Sequence, residues 1–184
     1  MAILRLRRCA AALVALMVAA AGALDVRTQG GLEYEVKAAF VYNFIKFVEW
    51  PAEALAAESF RVCLLGEDPF GGLLERVVRD DNVEGLPIAV ERVPLDGALT
   101  SCHILFVPRA HASRTAAIAR TLGNAPVLLV GESPGFLRAG GAIGLVVDGG
   151  HVRFDVAIPQ ATARGLKISS KLLRVARNTG GAQR

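Results

Sequence analysis

Phe60-Arg61-Val62-Cys63-Leu64-Leu65-Gly66 is the stretch on which the fold turns. It is a short run, apolar except for Arg61, closed by a glycine. A run of that length bounded by a turn residue is the signature of a strand buried on both faces. Asp68-Pro69 then reads as an N-cap with proline at the first helical position. The spacing of Leu73, Leu74, Val77 and Val78 predicts a helix beyond it. Leu86–Val93 reads as a second strand and His103–Val107 as a third. A helix follows near Ser113–Leu122. Pro126–Val130 and Ala142–Val147 supply two more strands. Val152–Ile158 alternates, which suits a sheet edge, and a last helix is expected over Gln160–Arg177. Short apolar strands alternating with helices predict a single layered α/β domain with a largely parallel sheet flanked by helices. A flavodoxin/Rossmann-like strand order would set the first and third strands side by side.

Upstream, residues 32–50 contain neither glycine nor proline and read as one helix stopped by Pro51. Val36, Phe40, Phe44 and Phe47 share a face, and Val41, Ile45 and Val48 fill much of the remainder. A helix this apolar all round is buried on several sides or covered by a partner.

The N-terminus has a different character. Arg5, Arg7 and Arg8 precede an apolar stretch from Cys9 to Gly22 that ends in Ala21-Gly22-Ala23. A basic region, a short apolar run and a small-x-small site define a secretory signal, expected at 1–23 and cleaved after Ala23. The apolar run is shorter than the ~20 residues of a membrane span, which disfavours an uncleaved anchor. Residues 24–30 form a polar leader, and 31–180 the α/β domain. The chain holds 21 basic and 17 acidic residues. Without the three signal arginines, 18 basic residues face 17 acidic ones, a net of +1. A mature chain so balanced gives no case for nucleic-acid binding.

Cleavage leaves two cysteines, Cys63 and Cys102. In an exported protein such a pair suggests a disulfide, and two buried thiols that never meet are the alternative. Cys63 lies in the first strand and Cys102 directly before the third, so the proposed strand order and the bridge support each other. Neither cysteine has a Cys or His at metal-ligand spacing, so no metal is expected.

Catalytic patterns are few. Gly131-Glu132-Ser133-Pro134-Gly135 matches G-x-S-x-G, with Asp148 and His151 in hydrolase order. That elbow needs the backbone N–H after the serine for its oxyanion hole, and Pro134 has none. A Ser-Pro-Gly turn is the simpler reading. Gly66–Gly72 sits where a phosphate cradle would, but it lacks the Lys-Ser/Thr of a P-loop and the G-x-G-x-x-G of a dinucleotide site. Glu67 and Asp68 would repel a phosphate there. His103, His111 and His151 form no spaced cluster. No cofactor and no catalytic residue is expected. In the last helix, Arg164, Lys167, Lys171 and Arg174 fall at i, i+3, i+7 and i+10 and would share one face. That strip is either a solvated helix face or a docking surface for an acidic partner.

Three segments together resemble a known family: Glu35–Pro51 (EVKAAFVYNFIKFVEWP), Ser101–Val107 (SCHILFV), and a third running from Gly135-Phe136 through Gly140–Ile143 and Val152–Asp155 to Gly165–Leu173 (GLKISSKLL). The chain resembles the YfiR family of periplasmic proteins over nearly all of its mature length. The resemblance implies a non-enzymatic repressor that binds the periplasmic sensor region of an inner-membrane diguanylate cyclase. Binding would lower cyclic di-GMP and with it biofilm and exopolysaccharide output. It also implies release by an OmpA-like outer-membrane lipoprotein, a homodimer, and a family cysteine pair at Cys63 and Cys102. Partner contacts are expected on exposed apolar residues of the first helix and on Arg164, Lys167, Lys171 and Arg174. Two departures stand out. Ala157 replaces the usual asparagine, and no cysteine is present near Gly140-Gly141, where some members hold a second disulfide. A periplasmic small-ligand sensor or solute-binding protein is the alternative reading, with its pocket at the C-terminal ends of the strands.

Overall fold

The computed structural model describes residues 31–180. The expected signal peptide and polar leader lie outside the described residues. Contacts divide the chain into Met1–Glu35 and Val36–Arg184, and the sheet belongs to the second unit.

Helix α1 covers residues 31–47. It stops short of Trp50 because Val48–Glu49 turns into a strand, β1. β1 pairs antiparallel with β9 (Lys167–Ile168), and the Ser169 N–H donates to the Phe47 carbonyl at 2.9 Å. That bond satisfies one of the carbonyls a helix end leaves open. The buried stripe of α1 also differs from the expected one. It runs through Lys37, Ala38, Val41, Phe44, Ile45 and Val48, while Val36 is exposed. With apolar residues all round, two stripes compete, and a lysine counts against the one that is in fact buried.

The main sheet takes its first strand from the opening stretch. β2 is Phe60–Leu65, β3 Asn82–Val83, β4 Leu86–Val93, β5 Ile104–Val107, β6 Leu128–Gly131, β7 Ile143–Asp148 and β8 His151–Val156. Their order is β3-β4-β2-β5-β6-β7-β8. β4, β2, β5, β6 and β7 run parallel, and β3 and β8 close the two edges antiparallel. β5 and β6 are buried throughout and β2 nearly so, which is why they read as unbroken apolar runs. β2 and β5 are neighbours, with Cys63 in register with Leu105.

Helices flank the sheet less regularly than in a doubly wound fold. α2 is Leu73–Val78, and α3 is Thr115–Leu122 after a 3-10 turn at Arg109–Arg114. The β4–β5 connection holds only a 3-10 turn at Leu99–Ser101, and β6 reaches β7 without an α-helix. The architecture is thus α/β with a mostly parallel sheet, and the Rossmann-like description does not extend to the connections. The Asp68 side chain caps the Phe70 and Gly72 N–H groups at 2.7 and 2.6 Å, so it organises the turn before α2 rather than the helix itself.

The last expected helix is broken in two. α4 covers Ile158–Thr162 and α5 Ser170–Val175, with β9 between them. Gly165 takes φ +73°. The Leu166 N–H donates to the Ala161 carbonyl and the Gly165 N–H to the Thr162 carbonyl, a Schellman stop. The Ser169 hydroxyl then accepts from the Leu172 N–H and restarts the helix as its N-cap. Ala157 is the N-cap residue of α4 and offers no side-chain acceptor.

Candidate partner-binding surface

The break between α4 and α5 disperses the basic strip. Arg164 is only 6% exposed; its Nη groups reach the carbonyls of Gly140 and Gln160 at 3.4 Å. Lys167 stands exposed on β9, opposite Glu49 of β1. Lys171 and Arg174 are exposed and three residues apart on α5. The expected single face therefore does not exist. Lys171 and Arg174 share a helix face, Lys167 belongs to the ribbon before it, and Arg164 is inside. Val175 lies next to Arg174 and is 68% exposed, which gives this end of the chain an apolar component.

α5 is fixed in place from behind. Leu172 is buried, the Arg177 N–H donates to the Phe154 carbonyl, and the Val156 N–H donates to the Asn178 carbonyl, each at 2.8 Å. The Arg177 guanidinium forks onto both Asp155 oxygens and also reaches Asp148 at 3.4 Å. The Asp155 carboxylate, then its Asp148 neighbour, raises the Arg177 pKa above the ordinary arginine value. Bidentate pairs of this kind fix orientation as well as charge.

The end of α1 carries a second polar group. Asp81 accepts from the Lys46 ammonium at 2.7 Å and from the Tyr42 hydroxyl at 2.6 Å. Lys46 first, then Tyr42 and the Asn82 N–H, hold the Asp81 carboxyl at about 2. A cavity of about 590 Å³ opens beside this group, with Trp50 and Val83 in its wall.

Cys63, inside β2, and Cys102, just ahead of β5, form a disulfide with Cα atoms 5.9 Å apart. Both sulfurs sit in the core layer of Leu65, Leu105, Ile118, Leu122 and Leu129. His103 follows directly. Its ring stacks on Phe60 at 4.5 Å, Nδ1 accepts from the Arg61 N–H, and Nε2 donates to the Ala54 carbonyl at 2.8 Å. That arrangement requires the neutral ring with its proton on Nε2. Burial pushes the His103 pKa down; the Ala54 carbonyl opposes the shift and the Arg61 charge adds to it.

The G-x-S-x-G segment serves packing. Ser133-Pro134-Gly135-Phe136 is a turn closed by the Phe136 N–H on the Ser133 carbonyl, with Gly135 at φ +74°. Proline followed by a positive-φ glycine is the type II pattern. The Phe136 ring lies between Gly131 and Gly141, where an added Cβ would come within 2.3 and 2.2 Å of it. Glu132 is buried and takes the Lys37 ammonium and the Arg109 N–H. Asp148 and His151 face each other across the β7–β8 turn; His151 Nδ1 bonds the Gly149 carbonyl, and Asp148 meets Arg177. No hydrogen bond joins Ser133 to His151 among the described residues. Nor is any group of three or more His, Cys, Asp or Glu there placed to hold a metal ion.

Sequence reasoning missed Lys37–Glu132 and the burial of Arg164. Lys37 precedes Val41, Phe44, Ile45 and Val48 at helical spacing, which was a readable signal. Gly165 and Ser169 were readable stop and start signals for the broken helix.

These features define an α/β domain whose sheet is stapled internally by sulfur and whose exposed C-terminal helix is basic. The sequence pattern of the YfiR/HmsC-like family matches residues 34–177, and the chain belongs to that family. No individually curated protein matches the chain. Among the described residues no helix is long and apolar enough to cross a membrane.

Proposed function

We propose that this protein is a periplasmic repressor of an inner-membrane diguanylate cyclase. It binds the sensor region of the cyclase and holds it in an inactive state, which lowers cyclic di-GMP. Repression of this kind requires that the protein prefer the inactive conformation over the active one. Membership of the YfiR/HmsC-like family over residues 34–177 carries the reading. The internal disulfide supports it, because such bridges persist in oxidising compartments. So does the Arg-rich, apolar, Ala-Gly-Ala leader, which we read as a cleaved signal peptide.

The role is non-catalytic in this reading. Lys167, Lys171 and Arg174 meet an acidic patch on the cyclase, and Val36 and Val175 supply apolar contact. Arg164 is too buried to join them. The protein acts as a homodimer, and an OmpA-like lipoprotein of the outer membrane sequesters it to relieve repression. The mature chain from Leu24, immobilised and exposed to inner-membrane extract, should retain a protein with a GGDEF output domain. Retention that is absent, or unaffected by Lys171→Glu with Arg174→Glu, would count against the surface assigned here.

A further inference from the structure

We propose that the cavity between α3, the turn at residues 138–140 and α4 is a binding site for a small organic or phosphate anion. The cavity measures about 400 Å³ and is walled in part by Arg120, Arg138, Arg164, Gln160, Ala119 and Gly140. A volume of that order suits a metabolite-sized ligand. Among the described residues no aspartate or glutamate lines it. Three other cavities do include carboxylates: Glu53, Glu58 and Glu91 in one, Glu49 and Glu84 in a second, Asp155 in a third.

Arg164 is the central observation. It is more than nine-tenths buried, yet among the described residues its contacts are carbonyl oxygens and no carboxylate pairs with it. Its two Nη atoms reach only carbonyl oxygens, at 3.4 Å, beyond the usual hydrogen-bond range. Among the described residues its Nε has no partner, and neither does Oε1 of Gln160, four residues earlier in α4. Burying a guanidinium is costly unless charge and hydrogen bonds compensate it. Burial draws its pKa below the ordinary arginine value, with no opposing carboxylate. An anion in the cavity would supply the missing charge.

The wall opposite is tightly packed. Gly140, at φ +99°, approaches α3 so closely that an added Cβ would stand 2.7 Å from the Cβ of Ala119. That contact brings Arg120, the next residue of α3, to the same cavity. Guanidinium groups match carboxylate and phosphate geometry through paired N–H donors. The open acceptor on Gln160 adds a preference for a ligand that also carries a hydroxyl or amine. The ligand class is therefore a small hydroxy- or amino-acid, or a phosphomonoester. The repressor reading is independent of this site and stands or falls separately.

The test is a thermal shift and calorimetric titration of the mature protein with malate and with inorganic phosphate. Sodium chloride at matched ionic strength is the control. At least one of the two anions should raise the melting temperature saturably above chloride. Arg120 is exposed, so Arg120→Gln should keep the unliganded melting temperature and weaken binding about tenfold. Arg164→Lys should weaken it at least as much. Malate bound more tightly than phosphate marks the ligand as a carboxylate, and the reverse marks it as a phosphate. No response beyond chloride to either anion, or an affinity unchanged in both variants, overturns the proposal.

Discussion

Lys37 of α1 and Glu132, the residue after β6, form an ion pair from which solvent is excluded, with each side chain 1% exposed. The pair ties the first helix to the C-terminal end of the central strands. Glu132 also accepts from the Arg109 N–H, so three segments meet on one carboxylate.

Removing either partner should be far worse than removing both. Lys37→Met or Glu132→Gln takes the ion-pair partner from a buried charge and should cost about 3–5 kcal/mol. Lys37→Met with Glu132→Leu should recover much of that loss. Urea unfolding of the three variants measures it, and strictly additive losses would contradict the account.

The disulfide spans 39 residues of sequence. Closing a loop of that length should stabilise the fold by about 4 kcal/mol in the chain-entropy model. Cys63→Ala with Cys102→Ala should lower the urea midpoint accordingly. Mass spectrometry of periplasmic material should show the two cysteines joined.

His103 should make stability depend on pH. Its pKa is lower in the folded chain than in the unfolded one, so the unfolded chain binds the extra proton. The contribution is complete above the unfolded value of about 6.5 and is lost as pH falls through the folded value. Protonation removes the acceptor that Nδ1 offers to the Arg61 N–H. His103→Gln should flatten the melting temperature between pH 7 and pH 5. An equally steep decline in the variant would assign the effect elsewhere.

Gly141→Ala should destabilise through the Phe136 ring, which stands 2.2 Å from the added Cβ position. Overpacking of this sort costs about 1–3 kcal/mol. Adding Phe136→Leu should make the Gly141→Ala step cheaper, and thermal melts of the four-variant cycle measure that coupling.

The strands were legible because burial on both faces leaves an unmistakable apolar run. FRVCLL, HILFV and PVLLV became β2, β5 and β6 with boundaries moved by no more than two residues. The cysteine pairing was legible as well, since parallel neighbours bring Cys63 and Cys102 together. The basic strip was not. Four cations at helical spacing outweighed Gly165 and Ser169, although a glycine stop and a serine start carry their own geometry. Arg164 illustrates the deeper obstacle, because an arginine inside and one outside look alike in sequence. Lys37 shows the same problem from the other side. Its partner is 95 residues away, and only the folded sheet brings them together.

The repressor account is tested most directly by cyclic di-GMP itself. Cells expressing the cognate cyclase should be compared with and without co-expression of this protein, after export of both has been verified. The account predicts a drop in cyclic di-GMP that Lys171→Glu with Arg174→Glu partly reverses. An unchanged level, with both proteins in the envelope, would contradict it.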